Sequence, residues 1–361
     1  MENLAIITLC GFARRGAKVE EAIQAIRKTK TKYIHDITQT RFSNGEAKIM
    51  LNESVRGKDV YIIADVCNYN CTYQMFGATN RMSPDDHFQD IKRAVSAASW
   101  RAKRITVIMP YLYAGRQHRR MSRESLDCAV ALQELENLGI DRIITFDAHD
   151  PNIVNAIPLS SFENMTPIPN LLEAYLRDQK GRVDANNTII VSPDYGSMSR
   201  AIKVASVMGV DAGVVYKRRD YSTVVKGRNP TIGFSYSGPD VAGKSVIIVD
   251  DMIASGGSIL EVAKHLKQQG VGDVTVLTSF ALFNDGTDEF DNLYEDGIIK
   301  RVYSTNLSYV SDQIKQKKWF VQVDLTQDIA AIIDALNNDK TVARFIDNFS
   351  TVKELLQQSG K

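Results

Sequence analysis

Ser245-Val246-Ile247-Ile248-Val249-Asp250-Asp251, continued by Met252-Ile253-Ala254-Ser255-Gly256-Gly257-Ser258, decides the reading of this chain. A continuous β-branched run closed by polar residues reads as a strand buried on both faces, as in a parallel sheet. Two acids at its carboxyl end can accept hydrogen bonds from sugar hydroxyls or hold a metal. The Ser-Gly-Gly-Ser turn then exposes bare backbone N–H groups, and Ile259, Val262, Ala263 and Leu266 follow at helical spacing. A helix N-terminus approached through glycines is an anion site, suited to phosphate. Acids for a sugar beside a cradle for a phosphate describe a phosphorylated pentose. A plain strand-turn-helix with a polar turn would share the pattern.

Outward from this stretch, strand-like runs alternate with helical periodicity. Residues 59–66 read as a strand, and Phe88, Ile91, Val95 and Ala98 mark one face of a helix. Residues 104–109 and 142–146 read as strands around a helix over 124–138. The pattern resumes with strands at 188–191 and 213–216 and a helix from Ser197. Such alternation predicts α/β architecture with largely parallel sheets, whose ligands bind outside the carboxyl ends of the strands. The length of 361 residues favours two domains. The proline-rich stretch from Pro158 to Pro169 is the best internal boundary. Ile329, Ile332, Ile333 and Leu336 share one face of a late helix, and beyond about Asn348 a frayed end is expected.

Composition narrows the function. A net charge of +1 excludes any general attraction to nucleic acid or membrane, so a basic site has to be local. Cys10, Cys67, Cys71 and Cys128 are too few and too irregular for a disulfide framework. Cys67 and Cys71 have no second cysteine pair to complete a zinc site, which leaves buried free thiols. The apolar run at residues 4–10 is shorter than a signal-peptide core, and Arg14 and Arg15 follow it instead of preceding it. No run approaches membrane-spanning length. A soluble, cytoplasmic protein is expected. Gly238-Pro239-Asp240-Val241-Ala242-Gly243-Lys244-Ser245 matches the Walker A pattern, but it precedes a strand, whereas a P-loop follows one and opens a helix. A turn feeding the strand is expected there.

Val249-Asp250-Asp251-Met252 with its small-residue loop resembles the phosphoribosyl-binding loop of type I phosphoribosyltransferase folds. Further segments narrow the resemblance to ribose-phosphate diphosphokinases. They are Phe42-Ser43-Asn44-Gly45-Glu46, Asn52 to Val60, Arg116-Gln117, Asp147-Ala148-His149, Val191-Ser192-Pro193-Asp194 and Lys217-Arg218-Arg219, in the family's order across nearly the whole chain. The resemblance implies two phosphoribosyltransferase-like domains, at 1–163 and 164–324, each a mainly parallel sheet flanked by helices. It implies that a helix within 325–348 returns to the first domain. It also implies a transferase of nucleotide biosynthesis that moves the diphosphoryl group of ATP to ribose 5-phosphate with Mg2+. The assembly implied is a homo-oligomer built from dimers, up to a hexamer.

Roles follow residue by residue from the same resemblance. Lys217, Arg218 and Arg219 follow the strand at 213–216, and with the polar stretch that holds Gly227 and Pro230 they read as a mobile loop. Lys217 and Arg219 match the catalytic pair and would neutralise charge on the transferred group. Arg116 and Gln117 fall at the ATP. Phe42, Asn44 and Glu46 resemble the adenine pocket, contributed by a neighbouring subunit, with Phe42 stacking on the base. Asp147 and His149 lie two apart at the end of a strand and so face the same side. The resemblance casts His149 as a magnesium ligand and Asp194 as a residue of the ribose and second metal. Asp250 and Asp251 would hold the ribose hydroxyls, and Ser255, Gly256, Gly257 and Ser258 the 5-phosphate. The chain departs from the pattern at Ala254 and His118, where the family has acids, and at Thr278-Ser279-Phe280, where it has threonine-histidine-glycine. A non-catalytic regulatory homologue and a phosphoribosyltransferase are the two rival readings.

Overall fold

The computed structural model describes residues 3–180, 183–219 and 231–359, with backbone alone at 217–219, 231–232 and 359. The chain divides into two compact units. One comprises Met1–Pro167, Asn306–Tyr309 and Asp324–Asn348; the other comprises Ile168–Thr305, Val310–Val323 and Phe349–Lys361. Among the described residues no helix is long and apolar enough to cross a membrane.

The first unit opens with β1 (Leu4–Thr8), α1 (Ala13–Arg27) and a hairpin of β2 (Ile37–Arg41) and β3 (Ala47–Leu51). After β4 (Asp59–Ile63) comes a second hairpin, β5 (Thr72–Met75) and β6 (Ala78–Arg81). Then follow α2 (Pro84–Ala98), β7 (Arg104–Ile108), α3 (Asp127–Asn137), β8 (Arg142–Phe146) and β9 (Ser161–Met165). Strands β1, β4, β7, β8 and β9 form a parallel sheet in that order. A single parallel bridge from Ile6 to Ile34 adds the segment around residue 34 outside β1, so the chain order reverses between β1 and β4. Alternate residues Ala5, Ile7, Val60, Ile62, Ile105 and Val107 form one core with Phe88, Ile91 and Val95 of α2 and Leu132 and Leu135 of α3. Helix α2 starts where Ser83 and Asp86 close a capping box ahead of Pro84. Helix α3 starts three residues later than its periodicity suggests. The Glu124 carboxylate accepts from the backbone N–H groups of Met121 and Ser122, which closes a turn there instead.

The second unit contains α4 (Ile168–Asp178), β10 (Thr188–Ser192), α5 (Met198–Met208), β11 (Asp211–Arg219) and β12 (Thr231–Ser237). It continues with β13 (Ser245–Ile253), α6 (Gly257–Gln268), β14 (Val274–Ala281), α7 (Asp288–Glu295), β15 (Ile299–Thr305), α8 (Asp312–Lys315) and β16 (Phe320–Val323). Its seven-stranded sheet runs β12-β11-β10-β13-β14-β15-β16. Only β12 among these is antiparallel, to β11. Both faces of β13 are buried: Val246 and Ile248 pack with α6, and Ile247 and Val249 with α4 and α5. That is the two-sided burial its unbroken β-branched run predicts. Chain order reverses between β10 and β13, which makes their carboxyl ends a topological switch point.

The chain ends with α9 (Thr326–Asn337), α10 (Ala343–Ile346) and α11 (Ser350–Ser359). Helix α9 lies in the first unit, where Arg27 of α1 binds Asp334 at 2.6 Å and Asn337 at 2.8 Å. The expected frayed end is instead α11. Phe349 and Val352 are buried with Leu171, Leu172, Ala201 and Val204, so an apolar stripe too short to stand out in sequence is held by packing.

Candidate active site

In the second unit the site grows from the switch point. Strand β10 ends at Ser192, and Ser197, the residue just before α5, is buried. Its hydroxyl donates to the Asp250 carboxylate at 2.5 Å, so β10 and β13 are joined across their carboxyl ends. Arg200, in the first turn of α5, donates to the Ser197 oxygen at 3.3 Å. Asp194 is exposed, and its carboxylate accepts from the Ser197 N–H at 3.0 Å, which fixes the turn. Asp250 and Asp251 do not end the strand, as the sequence suggested. Strand β13 runs on through Ile253 in register with β14, so the two acids point to opposite faces. Asp251 is buried, while Asp250 is only partly covered. Burial, then the neighbouring Asp251 charge, pushes the Asp250 carboxyl up to about 8, against the pull of the Ser197 hydroxyl and Arg200.

The loop after β13 is shaped for an anion. Gly256 caps α6 at a φ of 94°, and a Cβ there would lie 2.6 Å from the Phe290 ring, so both the backbone and the packing demand glycine. Ser255, Gly257 and Ser258 are exposed around the first N–H groups of α6. The backbone of Lys217 and Arg219 lies in β11, paired with β12, and not in a loop beyond the strand as expected. The anticipated mobile stretch at 220–230 falls outside the described residues. The Walker-like segment is a turn: Gly243, at a φ of 73°, donates its N–H to the Gly270 carbonyl, and Ser245 opens β13.

In the first unit Arg116 and Gln117 are exposed just after Ala114, whose φ is 53°; the Gln117 N–H returns to the Ala114 carbonyl. Asp147 and His149 were expected on one side of a strand end. Strand β8 stops at Phe146 and Asp147 has a φ of 42°, so strand alternation no longer relates them. His149 is exposed and has the His118 ring beside it, centroids 5.4 Å apart; His118 in turn lies 3.4 Å from the Asp150 carboxylate. The β2–β3 turn carries Phe42, Asn44 and Glu46. Phe42 is 45% exposed, and Asn44 donates to the Glu46 carboxylate at 2.9 Å. Ser197 and Arg200 were not singled out from sequence. Their signal was present, a serine and an arginine at helical spacing just after the Asp194 turn.

A glycine-capped turn at the switch point of one largely parallel sheet, in a chain with a second parallel sheet, fits the phosphoribosyltransferase class. Residues 14–139 match the N-terminal domain of ribose phosphate pyrophosphokinase, and residues 164–318 match the phosphoribosyl transferase domain. A ribose-phosphate pyrophosphokinase of Vibrio cholerae is 30% identical over 334 residues, 91% of this chain and 96% of that protein. The Pasteurella multocida enzyme of the same name is 30% identical over 311 residues, 85% and 90% of the two chains. The crystal structure of phosphoribosylpyrophosphate synthetase from Mycobacterium smegmatis shares the fold. It has a TM-score of 0.76 and 23% identity, covering 94% of this chain and all of that one. This chain belongs to the ribose-phosphate pyrophosphokinase family.

Proposed function

We infer that the chain transfers the diphosphoryl group of ATP to the 1-hydroxyl of ribose 5-phosphate, giving phosphoribosyl diphosphate and AMP. The observation that carries this reading is the Ser197–Asp250 bond across the carboxyl ends of β10 and β13, with the glycine turn of α6 beginning six residues further on. Asp250 is the partly covered acid and receives the ribose hydroxyls; the Asp251 backbone N–H, donating to its carboxylate at 2.9 Å, holds it in place. Hydroxyl donors favour the ionised carboxylate, so sugar binding draws the raised Asp250 pKa down and releases a proton near neutrality. The α6 N-terminus takes the 5-phosphate.

The nucleotide side uses Phe42 as a stacking face, Arg116 as a bidentate fork for phosphate oxygens and Gln117 beside it. Asn44 presents the Glu46 carboxylate to the base. The sugar 1-hydroxyl gives its proton to water as its oxygen attacks the β-phosphorus, and the bond to the α-phosphate oxygen breaks to release AMP. The step needs alignment and charge neutralisation more than covalent help, and Lys217 and Arg219 supply fixed positive charge. The protein donors fit Mg2+ carried on the substrate. Exposed His149 and exposed Asp194 are single donors, and among the described residues no three His, Cys, Asp or Glu gather into a metal group. Mg2+ commonly keeps its waters and phosphate oxygens around one or two protein groups. When bound, it would spread the charge of the transferred diphosphate. Exposed Phe42 and the neighbouring exposed Phe76 support a homo-oligomer in which a second copy completes the adenine pocket. Unpaired cysteines and a nucleotide donor fit the cytoplasm.

Incubation with ATP, Mg2+ and ribose 5-phosphate tests the reading. AMP equal to the phosphoribosyl diphosphate formed is expected. Stoichiometric ADP would overturn the mechanism, and no turnover at all would favour the regulatory homologue.

A further inference from the structure

Cys10 and Cys71, sixty-one residues apart, have their sulfur atoms 3.0 Å from each other in a thiol hydrogen bond. Cys10 is exposed at the start of a short 3-10 turn after β1, and Cys71 is buried just before β5. The approach is built into the backbone. A Cβ on Gly11 would lie 3.0 Å from both the Asn68 Cβ and the Asp65 carbonyl oxygen, so a larger residue would have to push this segment away. The Gly11 carbonyl accepts from the Asn68 amide at 2.8 Å and from Arg15 at 2.9 Å, which pins it there.

We propose that Cys10 and Cys71 are a reversible disulfide site, closed by exchange with a low-molecular-weight disulfide, and that the bond stiffens the β2–β3 turn. The Cys10 thiolate attacks one sulfur of the small disulfide and expels a thiolate, leaving a mixed disulfide on Cys10. Cys71 then loses its proton to water, attacks the Cys10 sulfur and expels the second thiolate. Two protein thiols are oxidised and one small disulfide is reduced to two thiols. The sulfurs have to close by about 1 Å to reach bonding distance.

The order of attack follows from the surroundings. The Cys71 thiol bonded to Cys10 lowers Cys10 to about 7; burial and Asp90 oppose this and Arg41 assists. Cys71 is pushed up by that same bond and by burial, so it suits the second, resolving step. The remaining thiols are poor competitors: burial raises Cys67 and pushes Cys128 up to about 12.

The mechanical consequence travels a short, continuous path. The Cys71 carbonyl accepts from the Met82 N–H and closes the base of the β5–β6 hairpin. At the tip, the Phe76 N–H donates to the Ser43 carbonyl at 2.8 Å, and the Met75 sulfur lies 2.6 Å from where a Gly45 Cβ would be. Ser43 and Gly45 belong to the turn that carries Phe42, Asn44 and Glu46. Any effect on nucleotide affinity rests on the proposed adenine role of that turn; the disulfide and the stiffening do not.

The full-length chain is equilibrated in glutathione buffers from reducing to oxidising, alkylated, and peptide-mapped without reduction. A Cys10–Cys71 linked peptide is expected in oxidising buffer, absent after dithiothreitol and absent from Cys10→Ser and Cys71→Ser but retained in Cys67→Ser. Hydrogen exchange without nucleotide should then slow several-fold at 42–46 and 72–82 in the oxidised parent alone. A glutathione adduct on Cys10 with no linked peptide overturns the site, and a linked peptide with unchanged exchange overturns the stiffening. Titration of a non-hydrolysable ATP analogue closes the test. Equal affinity in both redox states, with exchange slowed, refutes the nucleotide connection and leaves the diphosphokinase reading standing.

Discussion

At the carboxyl ends of β1 and β4, the first unit has Asp65 bound on every side. Its carboxylate accepts from Arg15 at 2.5 Å, the Tyr309 N–H at 2.7 Å, the Ser308 hydroxyl at 3.0 Å and the Cys67 N–H at 3.1 Å. At the matching ends of β10 and β13, the second unit has two adjacent acids, a hydroxyl and a glycine turn, with Asp250 pushed up to about 8 by burial and Asp251. Both places are switch points of a parallel sheet. The first is satisfied by protein donors alone; the second holds a carboxyl that resists ionising, and hydroxyl donors from a ligand would relieve it. Topology offers the crevice, and side chains determine whether it is filled by the protein or kept for a substrate.

The contrast breaks most visibly at Asp65. Asp65→Ala leaves Arg15 and its fellow donors without their acceptor and is expected to cost about 3–5 kcal/mol of stability, read from urea unfolding. A loss below about 1 kcal/mol would mean the first crevice is not the filled one. Next in size is Lys217→Ala, which should lower kcat by roughly 10²–10³-fold in steady-state assays. The KM for ATP should hardly move, because the charge it meets develops only during transfer.

Asp250→Asn sharpens the comparison in two directions. Losing a charged acceptor should weaken ribose 5-phosphate by roughly 10–100-fold in calorimetric titration. The unliganded variant should nonetheless be the more stable protein at neutral pH. With its pKa raised, Asp250 binds more protons folded than unfolded between its ordinary value of 3.8 and about 8. Stability from this group is therefore complete below that window and falls as pH rises through it. The difference in Tm between variant and parent should grow from pH 5 to pH 8; a flat difference would show that Asp250 is not strained. Gly256→Ala adds a Cβ at positive φ against Phe290 and should cost about 1–3 kcal/mol in thermal unfolding. Lys244→Ala is the smallest: turnover should stay within about a few-fold of the parent, as for an ordinary surface substitution.

The alternating elements, the switch-point strand and its glycine turn were legible because each is written locally, in β-branched runs and glycines. What escaped the sequence depends on partners far along the chain. Lys217 and Arg219 look like loop residues until β12 arrives to pair with them. Helix α11 holds its shape through Leu171 and Ala201, which lie far earlier in the chain. Ser197 and Arg200 gain their meaning only when β10 and β13 lie side by side, and the Asp65 network requires residues 308 and 309. Asp147 takes a left-handed backbone that aspartate tolerates better than most residues, but one aspartate among many is too weak a sign to read from sequence.

The path of the chain passes from one unit to the other after Pro167, Thr305, Tyr309, Val323 and Asn348. Neither unit is therefore a continuous stretch of gene. A chain cut after Pro167 would lack α9 and the Ser308 and Tyr309 donors to Asp65, and one cut after Asn348 would strip α11 from α4 and α5. Recombination cannot exchange one half of this protein for a relative's by a single crossover.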